Sequence, residues 1–125
     1  MKRGKNLFVN VFLIVLLVGC LNFASAVNDL IALQGNVRQS GVNLGIGDLQ
    51  VVIWDAYSGG NVIYNSTTDF YGAISSGKYD VVLGNGSNAL SLAYGETYYM
   101  GILVNGSSGF ESFTFNDGAT RQVFQ

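Results

Sequence analysis

Leu49-Gln50-Val51-Val52-Ile53-Trp54-Asp55-Ala56-Tyr57-Ser58-Gly59-Gly60-Asn61-Val62-Ile63-Tyr64-Asn65 is the stretch whose reading decides the fold. Two β-branched and aromatic runs suit a pleated surface, and the Gly59-Gly60 pair between them supplies the positive φ angles that a tight connection needs. The stretch therefore reads as a hairpin with arms over residues 49–57 and 61–66. Alternation places Leu49, Val51 and Ile53 on one side of the first arm, taken as the core side, and Val52, Trp54 and Ala56 on the other. An arm apolar on both faces needs cover on both, so a loop or another molecule is expected over Trp54. Register decides the pairing: a Gly59-Gly60 turn sets Asp55 opposite Tyr64, whereas including Ser58 in the loop sets Trp54 there and makes an aromatic pair.

Working outward, the first 26 residues read as a targeting segment rather than as part of the fold. Lys2, Arg3 and Lys5 form a basic start, residues 7–20 an apolar run broken by Asn10 and Gly19, and Ala24-Ser25-Ala26 the small residues of a cleavage site. Residues 1–26 are thus expected to be a cleaved signal peptide, leaving a single domain over 27–125. Two alternatives stay open. Leu17-Val18-Gly19-Cys20 resembles a bacterial lipobox, in which Cys20 is lipidated; and a retained leader would act as an anchor, although a spanning helix wants ~20 apolar residues. Secretion to the extracellular space or cell surface is the expected localisation.

Cleavage leaves three basic residues, Arg38, Lys78 and Arg121, against eight acidic ones, a formal charge of −5. Scattered cations on an acidic chain exclude a nucleic-acid surface. The only cysteine is Cys20, so neither a disulfide framework nor a thiolate metal site is available to the mature domain.

Beyond the leader the chain is a series of short apolar runs separated by Gly, Asn and Ser, with no sustained 3.6-residue period. Strands are predicted over 30–38, with Gly35 marking a bulge or a close approach, over the two hairpin arms, and over 78–83, with Tyr79, Val81 and Leu83 on one face. Further strands are predicted over 97–105, apolar on both faces and hence central, over 110–115 and over 120–124. Residues 39–48, 67–77 and 84–88 read as loops or turns. In the connection 89–96, Leu90, Leu92 and Tyr94 are placed to plug one end of the core, with room for a single helical turn. About seven strands of this kind predict an all-β, two-sheet antiparallel β-sandwich of Ig-like or transthyretin-like type. With no proline in the chain, edge protection falls to charges and bulges.

The order of Gln34-Gly35-Asn36-Val37, Ile53-Trp54-Asp55-Ala56-Tyr57-Ser58-Gly59-Gly60, Tyr79-Asp80-Val81-Val82-Leu83-Gly84, Tyr99-Met100-Gly101-Ile102-Leu103-Val104 and Arg121-Gln122 resembles the N-terminal β-sandwich module of secreted bacterial and archaeal cell-surface and tail-fibre-like proteins. Through Thr68-Asp69, Gly72 and Gly77-Lys78-Tyr79-Asp80-Val81 it is also similar to carboxypeptidase-regulatory and transthyretin-like sandwiches, although the usual proline after the first strand is missing and the first loop is longer. Both resemblances imply the same architecture, and neither brings catalytic residues.

Triad chemistry needs an imidazole, and there is no histidine. A hydrolase of paired carboxylates would have to draw on Asp55, Asp69, Asp80, Glu96 and Glu111, which no motif pairs and which fit solvated or turn-capping roles. Calcium has possible donors in the loops 65–69 and 116–117, where Asn and Asp equally serve as turn formers. No cofactor and no metal are expected. Three Asn-x-Ser/Thr sequons, at Asn65, Asn85 and Asn105, are glycan acceptors only in a glycosylating host. Trp54, Tyr57, Tyr64 and Tyr71 are the candidate contact residues for a partner or a glycan, with core closure or edge shielding as the competing role.

The expected function is a non-catalytic extracellular interaction module, structural or adhesive in a cell-surface or appendage assembly, with other surface proteins or its own copies as partners through edge strands. The last predicted strand runs into Gln125, which fits a module followed by further regions or a strand that pairs with a neighbour's edge. A membrane partner enters only with lipidation of Cys20 or retention of the leader. The alternative is a carbohydrate-binding module using the aromatic residues near the hairpin.

Overall fold

A computed structural model describes residues 28–125. The signal peptide expected over 1–26 and the lipidation candidate Cys20 lie outside the described residues. These contain no helix and ten strands: β1 Ile31–Asn36, β2 Arg38–Gln39, β3 Val42–Asn43, β4 Ile46–Trp54, β5 Val62–Asn65, β6 Ile74–Ser75, β7 Lys78–Leu83, β8 Tyr98–Asn105, β9 Glu111–Ser112 and β10 Gln122–Phe124. Eight form one antiparallel sheet in the order β1-β7-β6-β4-β8-β10, with β5 also paired to β4 and β9 to β8; β2 and β3 form a separate two-stranded ribbon.

β4 is the strand through which the pairing runs. On one flank it pairs with β8 over seven consecutive positions, from Asp48 opposite Asn105 to Trp54 opposite Tyr99. Its other flank is shared in sequence. Ile46 and Gly47 pair with β6, and Val52 to Trp54 with β5. Between those two pairings the segment after β5 takes over, with the Leu49 amide donating to Phe70 O (3.1 Å) and the Val51 amide to the Ser66 hydroxyl (2.9 Å). Ser66 is fully buried, and this bond, with its own amide donating to Val51 O, satisfies it there.

The alternation expected for β4 is present. Leu49, Val51 and Ile53 are completely buried and join Tyr79, Val81 and Leu83 of β7 and Tyr98, Met100 and Ile102 of β8 in a single hydrophobic cluster. β7 begins and ends where the sequence predicts, its Tyr79, Val81 and Leu83 inside and Lys78, Asp80 and Val82 outside. Gly35 marks a close approach and not a bulge: the β1–β7 register is unbroken, and a Cβ at Gly35 would run into the Tyr79 ring.

Several predicted boundaries shift. Residues 39–48 and 67–77 are not plain loops, because β2–β3 and β6 form there as two-residue pairings too short for any periodicity. The strand predicted over 110–115 is only Glu111–Ser112, with one more bond from the Phe113 amide to Ile102 O; the Phe115 amide turns away to Ala119 O. Of the three residues predicted to plug the core end, Leu90 is fully buried and Leu92 packs against the core, but Tyr94 is fully exposed. The predicted helical turn is one bond, from the Glu96 amide to Ala93 O.

Position along β4 should therefore govern stability. Ile53→Ala, at a fully buried site, is expected to cost about 2–5 kcal/mol. Ile46→Ala, in the same strand but 76% exposed, is expected to stay within about 0.5 kcal/mol of wild type. Chemical denaturation of the two variants checks the difference.

Candidate functional site

The hairpin adopts neither register drawn from the sequence. Ile53 pairs with Tyr64 and Trp54 with Val62, a bulge between them absorbing one residue of β5. Gly59 and Gly60 both have positive φ, 62° and 78°, so the glycine pair is used as its chemistry requires. The seven-residue loop is closed by Asp55 as well: its amide donates to Asn61 O, and its carboxylate accepts from the Asn61 amide (2.7 Å) and side chain (2.9 Å). These bonds hold the Asp55 carboxyl below its ordinary value.

The bulge also sorts the aromatic residues. Tyr64 shares the core face with Ile53 and is 3% exposed, its hydroxyl accepting from the Gly84 amide (3.3 Å). Burial pushes its pKa up. As a contact residue Tyr64 is corrected to a core residue, and the aromatic pair with Trp54 does not form. Trp54 lies on the outer face as predicted, and the cover that this face needs is supplied from within the chain. Gly101 lies directly under the indole, where a Cβ would come within 2.6 Å of a ring carbon. Above it the Arg121 guanidinium sits 3.7 Å from the ring centroid, pinned by Nη1 donating to Ala56 O (2.8 Å) and Gly59 O (2.9 Å).

Tyr57 is exposed and meets Tyr99 edge-on, the centroids 6.0 Å apart. Tyr71 is exposed as well but leans on Phe110 and follows the chain tied at Asp48, whose carboxylate accepts from the Gly72 amide. Asp48 and Trp54 stand six positions apart on β4, roughly 20 Å. The four aromatics named from the sequence are thus one core residue, a pair at one end of the sheet and a single residue at the other.

The carboxylates act locally. Asp69 accepts from the Ser87 amide and hydroxyl, tying the turn after β7 to the segment after β5. Asp117 accepts from the Gln122 side chain and the Ala119 amide, which lower its pKa. Among the described residues no three Asp or Glu side chains come close enough to share a metal ion. Of the sequon residues, Asn65 and Asn105 are half-buried, with side-chain oxygens accepting from Gln50 and Thr67 and from Gly109 respectively, whereas Asn85 stands exposed in the turn after β7.

What sequence reasoning did not single out is the flank of β1. A groove of about 950 Å³ runs between β1 and the segment after β9, lined by Leu33, Tyr79, Met100, Phe113 and Phe115. Arg38 and Lys78 stand at one end, and no Asp or Glu lines it, although the described chain carries eight acids and three cations.

All of this defines an antiparallel all-β domain. The chain belongs to the family described as Domain of unknown function (DUF8740), which matches residues 32–116, from β1 to just past β9. Neither the curated proteins nor the solved structures yield a match.

Two outcomes follow. Arg121→Ala should uncover Trp54, shifting its emission to the red and raising acrylamide quenching while the fold is kept; an unchanged spectrum would deny Arg121 the covering role. Because the Asp55 and Asp117 pKa values are lowered by folding, the stabilisation from their bonds is present above the ordinary carboxylate value of 3.8 and is lost as pH falls through the folded values. In an NMR titration both carboxyls should show midpoints below 3.8, with the Asn61 amide moving together with Asp55.

Proposed function

We propose that this protein is a secreted, non-catalytic interaction module of a cell-surface or appendage assembly, built as a two-sheet β-sandwich and released from a signal peptide over residues 1–26. The single observation that carries the reading is the state of the β1 edge. Six residues, Ile-Ala-Leu-Gln-Gly-Asn, pair in unbroken register with β7 on one side and form the outermost strand on the other. Edge strands of solitary domains are ordinarily blunted by charge, proline or a bulge, since open N–H and C=O groups invite another strand. β1 carries none of the three. Its resemblance to the N-terminal modules of surface proteins supports the same reading, as does a leader with the layout of a secretory signal.

The carboxylates support a non-catalytic role. Asp55, Asp69 and Asp117 are each engaged by amide or hydroxyl donors that close turns, the work of fasteners rather than of an acid and base with pKa values pushed apart.

Expression with its leader tests this. The protein should be recovered outside the cytoplasm with the mass of a chain beginning at Val27, and fluorescently labelled protein should bind the envelopes of producing cells saturably. A protein retained inside the cell, or one that binds neither envelopes nor its own copies, contradicts the reading. Polysaccharides that quench Trp54 fluorescence would favour carbohydrate binding instead.

A further inference from the structure

We infer that the β1 edge is a self-complementary docking strand, and that its occupant is β1 of a second copy, paired antiparallel about a two-fold axis at Gln34. The inference rests on the reading of the protein as an interaction module and gives that reading a surface and a partner.

The hydrogen-bonding parity of β1 follows from one bond just beyond it. The Val37 amide donates to Gly77 O (2.7 Å), and the register Ile31–Leu83 to Asn36–Lys78 continues to that pair. Alternation in an antiparallel ladder then turns the bonding groups of Ile31, Leu33 and Gly35 toward β7 and those of Ala32, Gln34 and Asn36 outward. Their side chains are exposed, whereas Ile31, Leu33 and Gly35 lean inward.

An antiparallel two-fold pairing that keeps the inner faces together must match residues of the same parity. Centred on Gln34, it sets Gln34 against its own counterpart and Ala32 of each copy against Asn36 of the other, using every outward group in about six hydrogen bonds. On the inner face Leu33 stands opposite Gly35, a large residue against the smallest. Charge agrees with this arrangement. The strand itself is neutral, so no like charges meet at the axis, and the Arg38 and Lys78 end of one copy comes beside the Asp29 end of the other. The exposed carboxylates nearest the axis are the Asp80 side chains of the two copies, each one strand back from it, about three strand spacings or roughly 14 Å apart and so largely screened.

The other edges are each guarded. β5 is short and faces a bulge in its pairing with β4; β9 has two residues, one of them Glu111; β10 has three and follows directly on Arg121. β1 is the one free edge of six regular, uncharged residues among those described.

The test uses a property of parity. Gln34→Pro removes an N–H that points out of the sheet and leaves the β1–β7 ladder intact, a position where an edge strand tolerates proline. Sedimentation equilibrium of the purified protein should show a dimer, weakened about tenfold or more in Gln34→Pro while circular dichroism and Trp54 emission stay as in wild type. Gln34→Cys, in a chain whose only other cysteine is Cys20, should form an intermolecular disulfide on mild oxidation even with Cys20→Ser, because directly opposed bonded positions lie about 5.5 Å apart; Val123→Cys on β10 should not. A dimer that survives Gln34→Pro undamaged overturns the β1 proposal and moves the contact to another edge, leaving the interaction-module reading in place. A strict monomer that binds envelopes likewise overturns only the proposal, in favour of a different partner. A strict monomer that binds nothing overturns both.

Discussion

The ladder between β4 and β8 is the interaction on which the rest of this structure depends. Seven consecutive pairs place Leu49, Val51 and Ile53 beside Met100 and Ile102, and that shared apolar face is what β7 and the connection at Leu90 pack against. Burial of whole Leu, Ile and Val side chains stabilises by roughly 1.5–3 kcal/mol each, far more than any of the exposed turn contacts. The turns have another task. With no disulfide or proline in the domain, Asp55, Asp69 and Asp117 close loops that would otherwise be long and free, and Asp29 ties the start of β1 to the connection at Leu90 and Leu92.

The same ladder explains why β1 is the open side. β4 has both flanks occupied, by β8 on one and by β5, the 66–70 segment and β6 on the other, so the sheet grows outward in two directions, through β8 to the short β9 and β10 and through β6 and β7 to the six residues of β1. There the pairing stops at a strand without charge, proline or bulge. Trp54, the residue that first draws attention as a contact, is by contrast finished internally: Gly101 gives it a floor and Arg121 a lid.

Much of the fold was legible because the long strands announce themselves by alternation. β7, β8 and the core side of β4 lie where β-branched and aromatic residues alternate, and Gly59-Gly60 turns where glycine is needed. The misses have physical causes. β2, β3 and β6 are pairs of two residues, shorter than any period can reveal. The hairpin register failed because a bulge depends on the neighbouring strand and on Asp55 capping the loop, neither of which a local pattern contains. Tyr64 changed sides with that bulge, and Tyr71 separated from Trp54 because sequence proximity says nothing of the roughly 20 Å between the two ends of β4. The Arg121 lid spans 67 positions from Trp54 and carried no sequence signal, whereas the neutrality of Ile31–Asn36 was plain in the sequence and acquired meaning only once the strand proved to be outermost.

Amide hydrogen exchange across β1 at two protein concentrations addresses the central claim most directly. Leu33 and Gly35, whose amides face β7, should be protected in dilute and concentrated samples alike, while Ala32, Gln34 and Asn36 should exchange freely when dilute and become protected as concentration rises. Fast exchange of those three amides at every concentration would contradict an edge built to receive a second copy.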